Sequence, residues 1–304
     1  MSQAGNSNRI TRNYLDSLLI ETRYMNSDNP DTGFTLYGET FASPVMTAAL
    51  SHLEQLGEGG MARGIALGAK KAGCVMWYGA AEESEIEMLA GTGVRLIEII
   101  KPYANRDLIY KKIEHAQKLG LLAVGIDIDH PFSEDGSPDI VDEEEMKALT
   151  TDELAQIVRS TELPLITKGV LSLYDAKESL KAGVRGMVVS HHNNRIEYAL
   201  PPLYILPEIV KLAGPDVPVF VDCMIQTGMD AFKAIALGAK GVCIGRPLMS
   251  AYTNDRKDGV FDYLTKTRGE LAKAMAFTGC TNLNRMDPSV IHRDCFSADP
   301  WCYT

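Results

Sequence analysis

The stretch VPVFVDCMIQTGMDAFKAIALGAKGVCIGRP, residues 217–247, carries one complete unit of the fold. A short apolar run, VPVFVD (217–222), has the length and β-branched content of a buried strand. A polar turn follows, and then MDAFKAIALGA (229–239), whose apolar residues recur at helical spacing. The chain returns at GVCIG (241–245) as a second apolar run.

The same alternation extends outward. Further strand-like runs are PVMTAA (44–49), CVMW (74–77), RLIEII (95–100), LLAVGIDI (121–128), PLITKG (164–169) and GMVVSH (186–191). Amphipathic stretches such as GGMARGIALGAKKAG (59–73), ANRDLIYKKIEHAQKLG (104–120) and LYDAKESLKAG (173–183) separate them, mostly ending in the glycine that C-caps favour. Strand–helix units at this spacing predict an α/β protein, a (β/α)8 TIM barrel over residues 44–304, with an open doubly wound sheet as the alternative. Residues 1–43 read as an N-terminal extension of the same single domain, a helix within ITRNYLDSLLIETRYM (10–25) plus an extended cover for the barrel floor. DHPFSEDGSPDIVDEEEM (129–146) reads as an acidic loop followed by a solvated helix start.

Composition narrows the function. The 304 residues are 45% hydrophobic, enough for a sizeable core without disulfides or metal. A net charge of −10 repels phosphate backbones, so nucleic acid is not an expected partner. No apolar run approaches the roughly 18 residues that cross a bilayer, and the N-terminus lacks a signal core, so a cytoplasmic protein without a membrane partner is expected. The six cysteines, at 74, 223, 243, 280, 295 and 302, contain no C-x-x-C pair and suggest neither a zinc ribbon nor a disulfide framework.

Polar residues gather where the runs end: Glu98, Asp127, Lys168, His191, His192 and Asp222. In a barrel those ends converge on one mouth, where active sites lie. The turns DCMIQTG and GRP, after the seventh and eighth runs, each lead into a helix and present amides to an anion, with Arg246 as a charge-assisted clamp. These features point to a phosphate-bearing ligand. In VVSHHNNR, Arg195 can fork onto a carboxylate while one of His191 and His192 takes a proton from the molecule so held. Asp127 can orient that imidazole. No metal site is expected, because Asp129, His130, Glu134 and Asp135 lack the spacing of a calcium loop.

At these residues the sequence resembles a known family. KGVLSLYDAKESLKAGVRGMVVSHHNNR (168–195), LPPLYILPEIV (200–210), VPVFVDCMIQTGMDAFKAIALGAKGVCIGRPLM (217–249) and ELAKAMAFTGCTNL (270–283) are similar in order and spacing to the second half of the FMN-dependent α-hydroxy acid dehydrogenase/oxidase family. GETFASPVMTAA and LLAVGIDI extend the likeness, more loosely, over 35–130. The resemblance implies FMN as cofactor, a small carboxylate substrate oxidised from 2-hydroxy to 2-oxo acid, and a homo-oligomer, commonly a tetramer. It implies Lys168 at the flavin N1/O2 edge, His192 as catalytic base paired with Asp127, Arg195 on the substrate carboxylate, and Asp222, Gly245 and Arg246 around the ribityl chain and phosphate.

Departures accompany it. Asn193 and Asn194 stand where the family has glycines, and Gln226 where it has a phosphate-side arginine. Glu98 aligns with the family's flavin-bonding glutamine, and Ile100 with its active-site tyrosine. A second substrate arginine has no counterpart, leaving His130 or Lys101 to replace it, and the shortened loop at 129–146 leaves the mouth thinly covered. These departures motivate the alternative of a lyase or isomerase working by proton transfer at Lys168, His192 and Asp127.

Overall fold

The computed structural model describes residues 4–55 and 60–294. Eight parallel strands form one sheet: β1 (Val45–Thr47), β2 (Met76–Gly79), β3 (Leu96–Ile100), β4 (Ala123–Asp127), β5 (Leu165–Val170), β6 (Gly186–Val189), β7 (Val219–Val221) and β8 (Gly241–Ile244). From β2 to β8 each pairs with the next in the chain, and β8 pairs with β1. The ring closes between β1 and β2, where the Thr47 amide donates to the Val75 carbonyl at 3.2 Å and the Gly79 amide to that of Leu50 at 3.0 Å. Between them the Thr47 hydroxyl replaces a ladder carbonyl, accepting from the Trp77 amide at 3.0 Å. With its two ends bonded to each other, the sheet is a barrel and not the open alternative.

The helices outside it are α2 (Met61–Ala72), α3 (Glu83–Gly91), α4 (Arg106–Lys118), α5 (Thr151–Arg159), α6 (Leu173–Ala182), α7 (Pro202–Ala213), α8 (Gly228–Ala236) and α9 (Arg246–Phe277), the last kinked at Asp255 and Arg256. The extension contributes α1 (Ser7–Ser17) and a hairpin of Phe34–Leu36 with Glu39–Phe41. Its Phe34, Leu36 and Phe41 join the barrel's interior cluster. Tyr37 bonds the Arg185 carbonyl and Glu39 pairs with Arg95, which places the hairpin at the strands' N-terminal ends. Helix α1 instead lies against α7, the loop after β6 and α8, through Thr11 on His191 and Arg12 on Asp230. It stops short of the predicted Met25 because Leu18–Ile20 pairs antiparallel with Ile291–Arg293, a long-range ladder that overrides helical periodicity.

Alternation along the strands decides what faces the mouth. Met46, Trp77, Ile99, Ile166, Val188 and Phe220 point inward and fill the barrel, with Trp77 and Phe220 edge to face at 5.2 Å. Two residues further along, the same inward direction carries Lys101, Lys168, Ser190 and Asp222.

The segment expected as a loop and a helix start is a loop over 129–139, but the helix start is absent from it. Ile140–Val141 and Glu144–Glu145 form a small antiparallel pair. Its edge is stitched to the connection after β3, with the Ala104 amide on the Glu145 carbonyl and the Lys147 amide on the Pro102 carbonyl. The helix begins only at Thr151, where Thr150 and Glu153 complete a capping box. Cys74, Cys243 and Cys280 are buried free thiols and Cys223 is a half-buried one, while Cys295 and Cys302 lie outside the described residues.

Glu98 corrects the expected register. It shares its side of β3 with Leu96 and Ile100, which pack among the helices, whereas Ile97 and Ile99 face the barrel interior. Its carboxyl is therefore buried between sheet and helices and does not line the mouth. One oxygen has no hydrogen-bond partner. Burial pushes the carboxyl up to about 7, with Lys112 opposing and Glu83 adding to the shift. The folded chain thus holds this proton more tightly than the unfolded one, so the stability linked to it is full below the ordinary carboxylate range and is lost as pH rises through about 7. Glu98→Gln is expected to melt above the parent at pH 8, by up to about 3 kcal/mol, with a smaller gap at pH 4.5. Thermal melts at both pH values check this, and an equal gap at the two would show a hydrated carboxylate.

Candidate active site

The mouth is organised around a buried carboxylate. Asp127, ending β4, accepts from Lys168 Nζ at 2.9 Å on one oxygen and from Lys101 Nζ at 2.8 Å on the other. All three side chains are almost fully buried. Burial opposes ionisation of Asp127, but Lys168 and Lys101 outweigh it and hold the carboxyl well below the usual range.

Asp127 is not the partner of the histidine, a correction to the sequence reading. His192 Nδ1 lies 3.8 Å from Asp127 but donates to the two oxygens of Asp129 at 3.0 and 3.1 Å. Burial pushes Asp129 up, but His192 and Lys168 outweigh it and keep the carboxyl ionised. The Nδ1–H bond fixes the tautomer and leaves Nε2 to accept a proton. Asp129 was legible as the next residue of β4's inward-facing series, but the sequence reading gave it only to a dismissed metal site.

Glycine makes that pairing possible. At Gly169 the strand register shifts, the backbone turns to φ +93°, and an added Cβ would lie 2.2 Å from Asp129 Cγ. The histidine side depends on left-handed backbone too, with φ of 47°, 58° and 70° at His192, Asn193 and Asn194. Asparagine is among the non-glycine residues that best tolerate this region, which accounts for the two departures from glycine. Both asparagines also bind α1: Asn194 Oδ1 accepts from the Ser7 amide at 2.6 Å and Asn193 Oδ1 from Asn8 Nδ2 at 2.9 Å. His191 turns the other way, accepting the Asn194 amide on Nδ1 and so donating from Nε2 to Thr11 at 2.9 Å.

Arg195 and His130 meet each other through Asp139, a residue the sequence reading missed. Asp139 lies 2.5 Å from Arg195 Nη2 and 3.0 Å from His130 Nδ1, and Arg195 also holds the Phe132 carbonyl. The His130 ring packs edge-on to His192, 4.7 Å between centroids. Burial, then repulsion from Lys101 and His192, pulls His130 down to about 4, so it is neutral at pH 7. Asp127, Asp129 and His192 could together hold a cation, and the Lys168 ammonium supplies the positive charge among them.

Beside this cluster opens a cavity of about 1320 Å³. Lys168, His192, Asp222, Gly245 and Arg246 line it, with Ala48–Ser51 forming the wall after β1. The Cys223 thiol donates to Asp222 at 2.9 Å, and burial together with that carboxylate pushes it up, leaving a protonated thiol. The anion cradle is narrower than the two turns suggested. At the start of α8 the amides of Gln226 and Thr227 are taken by Asp230, and that of Gly228 by Glu270. Arg246, at the first turn of α9, and Lys266 remain as the cavity's outer cations.

The sequence profile of the FMN-dependent dehydrogenase family matches residues 1–143 and 133–293. The chain belongs to this family. Glycolate oxidase 2 of Oryza sativa subsp. indica is 30% identical over 84% of this chain and 79% of its own length. Glycolate oxidase of Spinacia oleracea is 29% identical over 93% and 86%. A mandelate oxidase variant solved with (S)-mandelic acid superposes with a TM-score of 0.84 at 26% identity, covering 95% of this chain and 89% of that one. FMN is the cofactor of the family and of this chain, which is an oxidoreductase. A lyase or isomerase is not what these relatives support, and Glu98, one ground for it, lies away from the mouth.

The cavity fits FMN on its own terms. It has a buried cation at its inner end, a wall formed by Ala48–Ser51 just after β1, and a helix N-terminus with arginine at its outer end. Gly169→Ala is expected to dislodge Asp129 from His192 while leaving this cavity intact. FMN binding should then persist while reduction of the flavin by substrate slows by about 10²-fold or more. Stopped-flow reduction alongside a flavin titration checks it, and an unchanged reduction rate would show that Asp129 finds room despite the added methyl.

Proposed function

We propose that the protein oxidises a small 2-hydroxy acid to the corresponding 2-oxo acid. Bound FMN supplies the acceptor for the two electrons that leave the substrate. The observation that carries this reading is the His192 ring at the cavity wall, its Nδ1–H committed to Asp129 and its Nε2 left to take the substrate's hydroxyl proton. Asp129 stabilises the imidazolium that results. Lys168 holds positive charge at the cavity's inner end, Asp222, Gly245 and Arg246 hold the cofactor's chain and phosphate, and Arg195 with His130 receives the substrate carboxylate. His192→Asn should retain FMN and lose about 10²- to 10⁴-fold in reduction by substrate, read by anaerobic flavin bleaching. Failure of the parent protein to bind FMN in a fluorescence titration would remove the reading.

Asp139 defines the substrate problem. Its carboxylate occupies the Arg195 and His130 groups that a substrate carboxylate needs, so an incoming acid exchanges with it. Simple acids such as glycolate or lactate are then weak substrates, and a larger acid with further polar contacts competes better. Asp139→Asn is expected to lower KM for a simple 2-hydroxy acid by about tenfold. A raised KM across a panel of acids would mean that Asp139 positions Arg195 instead of competing for it.

Free thiols at Cys74, Cys223, Cys243 and Cys280 favour a reducing, cytoplasmic compartment. The exposed apolar run Ile196, Tyr198 and Leu200 favours assembly with further copies, as a homotetramer. No helix among the described residues is long and apolar enough to cross a membrane.

A further inference from the structure

The Lys101–Asp127–Lys168 network raises a question that proton transfer at His192 does not answer. Asp127 has 3% of its surface exposed and is absent from the cavity wall, whereas Lys168 forms part of that wall. The carboxylate thus stands behind the cation, with one oxygen on Lys168 and the other on Lys101. We propose that Asp127 is a positioning residue that sets the charge presented to bound FMN, and through it the cofactor's reduction potential. The inference rests on the reading that FMN occupies this cavity with Lys168 against it.

Two lysines and one carboxylate leave a net charge of +1 in the network, where removal of Asp127 would leave +2. Reduction places electron density on the cofactor, and a nearby cation favours the reduced form. In a buried site a charge one side chain away acts far more strongly than it would in water. Asp127 therefore moderates Lys168, and Lys101 limits that moderation by drawing on the second oxygen. Burial alone would make Lys168 easier to deprotonate, but Asp127, Asp129 and Asp222 outweigh it and keep the ammonium charged.

The two partners of the network make opposite predictions. In Asp127→Asn the potential of bound FMN should rise, the reduction equilibrium shifting about tenfold toward the reduced form, which is about 30 mV for a two-electron couple. In Lys101→Met, where Asp127 is left to Lys168 alone, it should fall by a similar amount. The measurement is the potential of FMN-reconstituted protein, read against a reference dye under anaerobic equilibrium, with the FMN dissociation constant determined for each variant. A purely structural role predicts weaker FMN binding with no opposed shifts. FMN bound at unchanged potentials, or potentials moved in one direction by both substitutions, overturns this inference alone. Parent protein that takes up no FMN overturns the underlying reading as well. Should Asp127→Asn fail to fold with two unpaired lysines, Lys101→Met decides: a negative shift supports the inference and no shift overturns it.

Discussion

The Asp127 carboxylate between Lys101 and Lys168 is the interaction around which the barrel mouth is built. Lys101, one residue past β3, Asp127 at the end of β4 and Lys168 of β5 meet at the level where the barrel interior changes from apolar to charged. Removing three ionised groups from water is costly, and such a network adds little stability over a well-packed apolar substitute. Its presence in a barrel otherwise filled by Trp77, Phe220 and isoleucines is better explained by what it does to the adjoining cavity.

The His192–Asp129 pair is positioned by backbone conformations that ordinary residues disfavour. Gly169 gives Asp129 the space a methyl group would take, and the left-handed run from His192 to Asn194 turns one histidine into the mouth and the other toward α1. Asn193 and Asn194 permit this backbone, and they add bonds to Ser7 and Asn8. Helix α1 is thereby coupled to the catalytic loop, so the N-terminal extension supports the site besides closing the floor.

The amides opening α8 are taken by Asp230 and Glu270, which leaves Arg246 and Lys266 as cations lining that part of the cavity. On the substrate side the 129–146 segment folds back over the mouth and lays Asp139 on Arg195 and His130.

Eight strand–helix units and the height of the site along them were legible in the sequence, but the same alternation of apolar runs and helical periods also suits an open doubly wound sheet, and only the bonds between β1 and β2 closed the barrel. Alternation along a strand places Lys168 and Asp222 at the mouth once the strands are recognised. Legible too were His192 and Arg195, whose order and spacing carry the family likeness. Only the tertiary structure decided which carboxylate meets His192, because Asp127 and Asp129 lie on the same face of one strand and differ by a rise along it that no local pattern ranks. It also decided that Glu98 faces the helices, since RLIEII is apolar on both faces and its alternation gives no direction. Asp139 was hidden for a related reason: its partners, Arg195 and His130, reach it through a fold-back of an acidic loop whose composition suggested only solvent exposure.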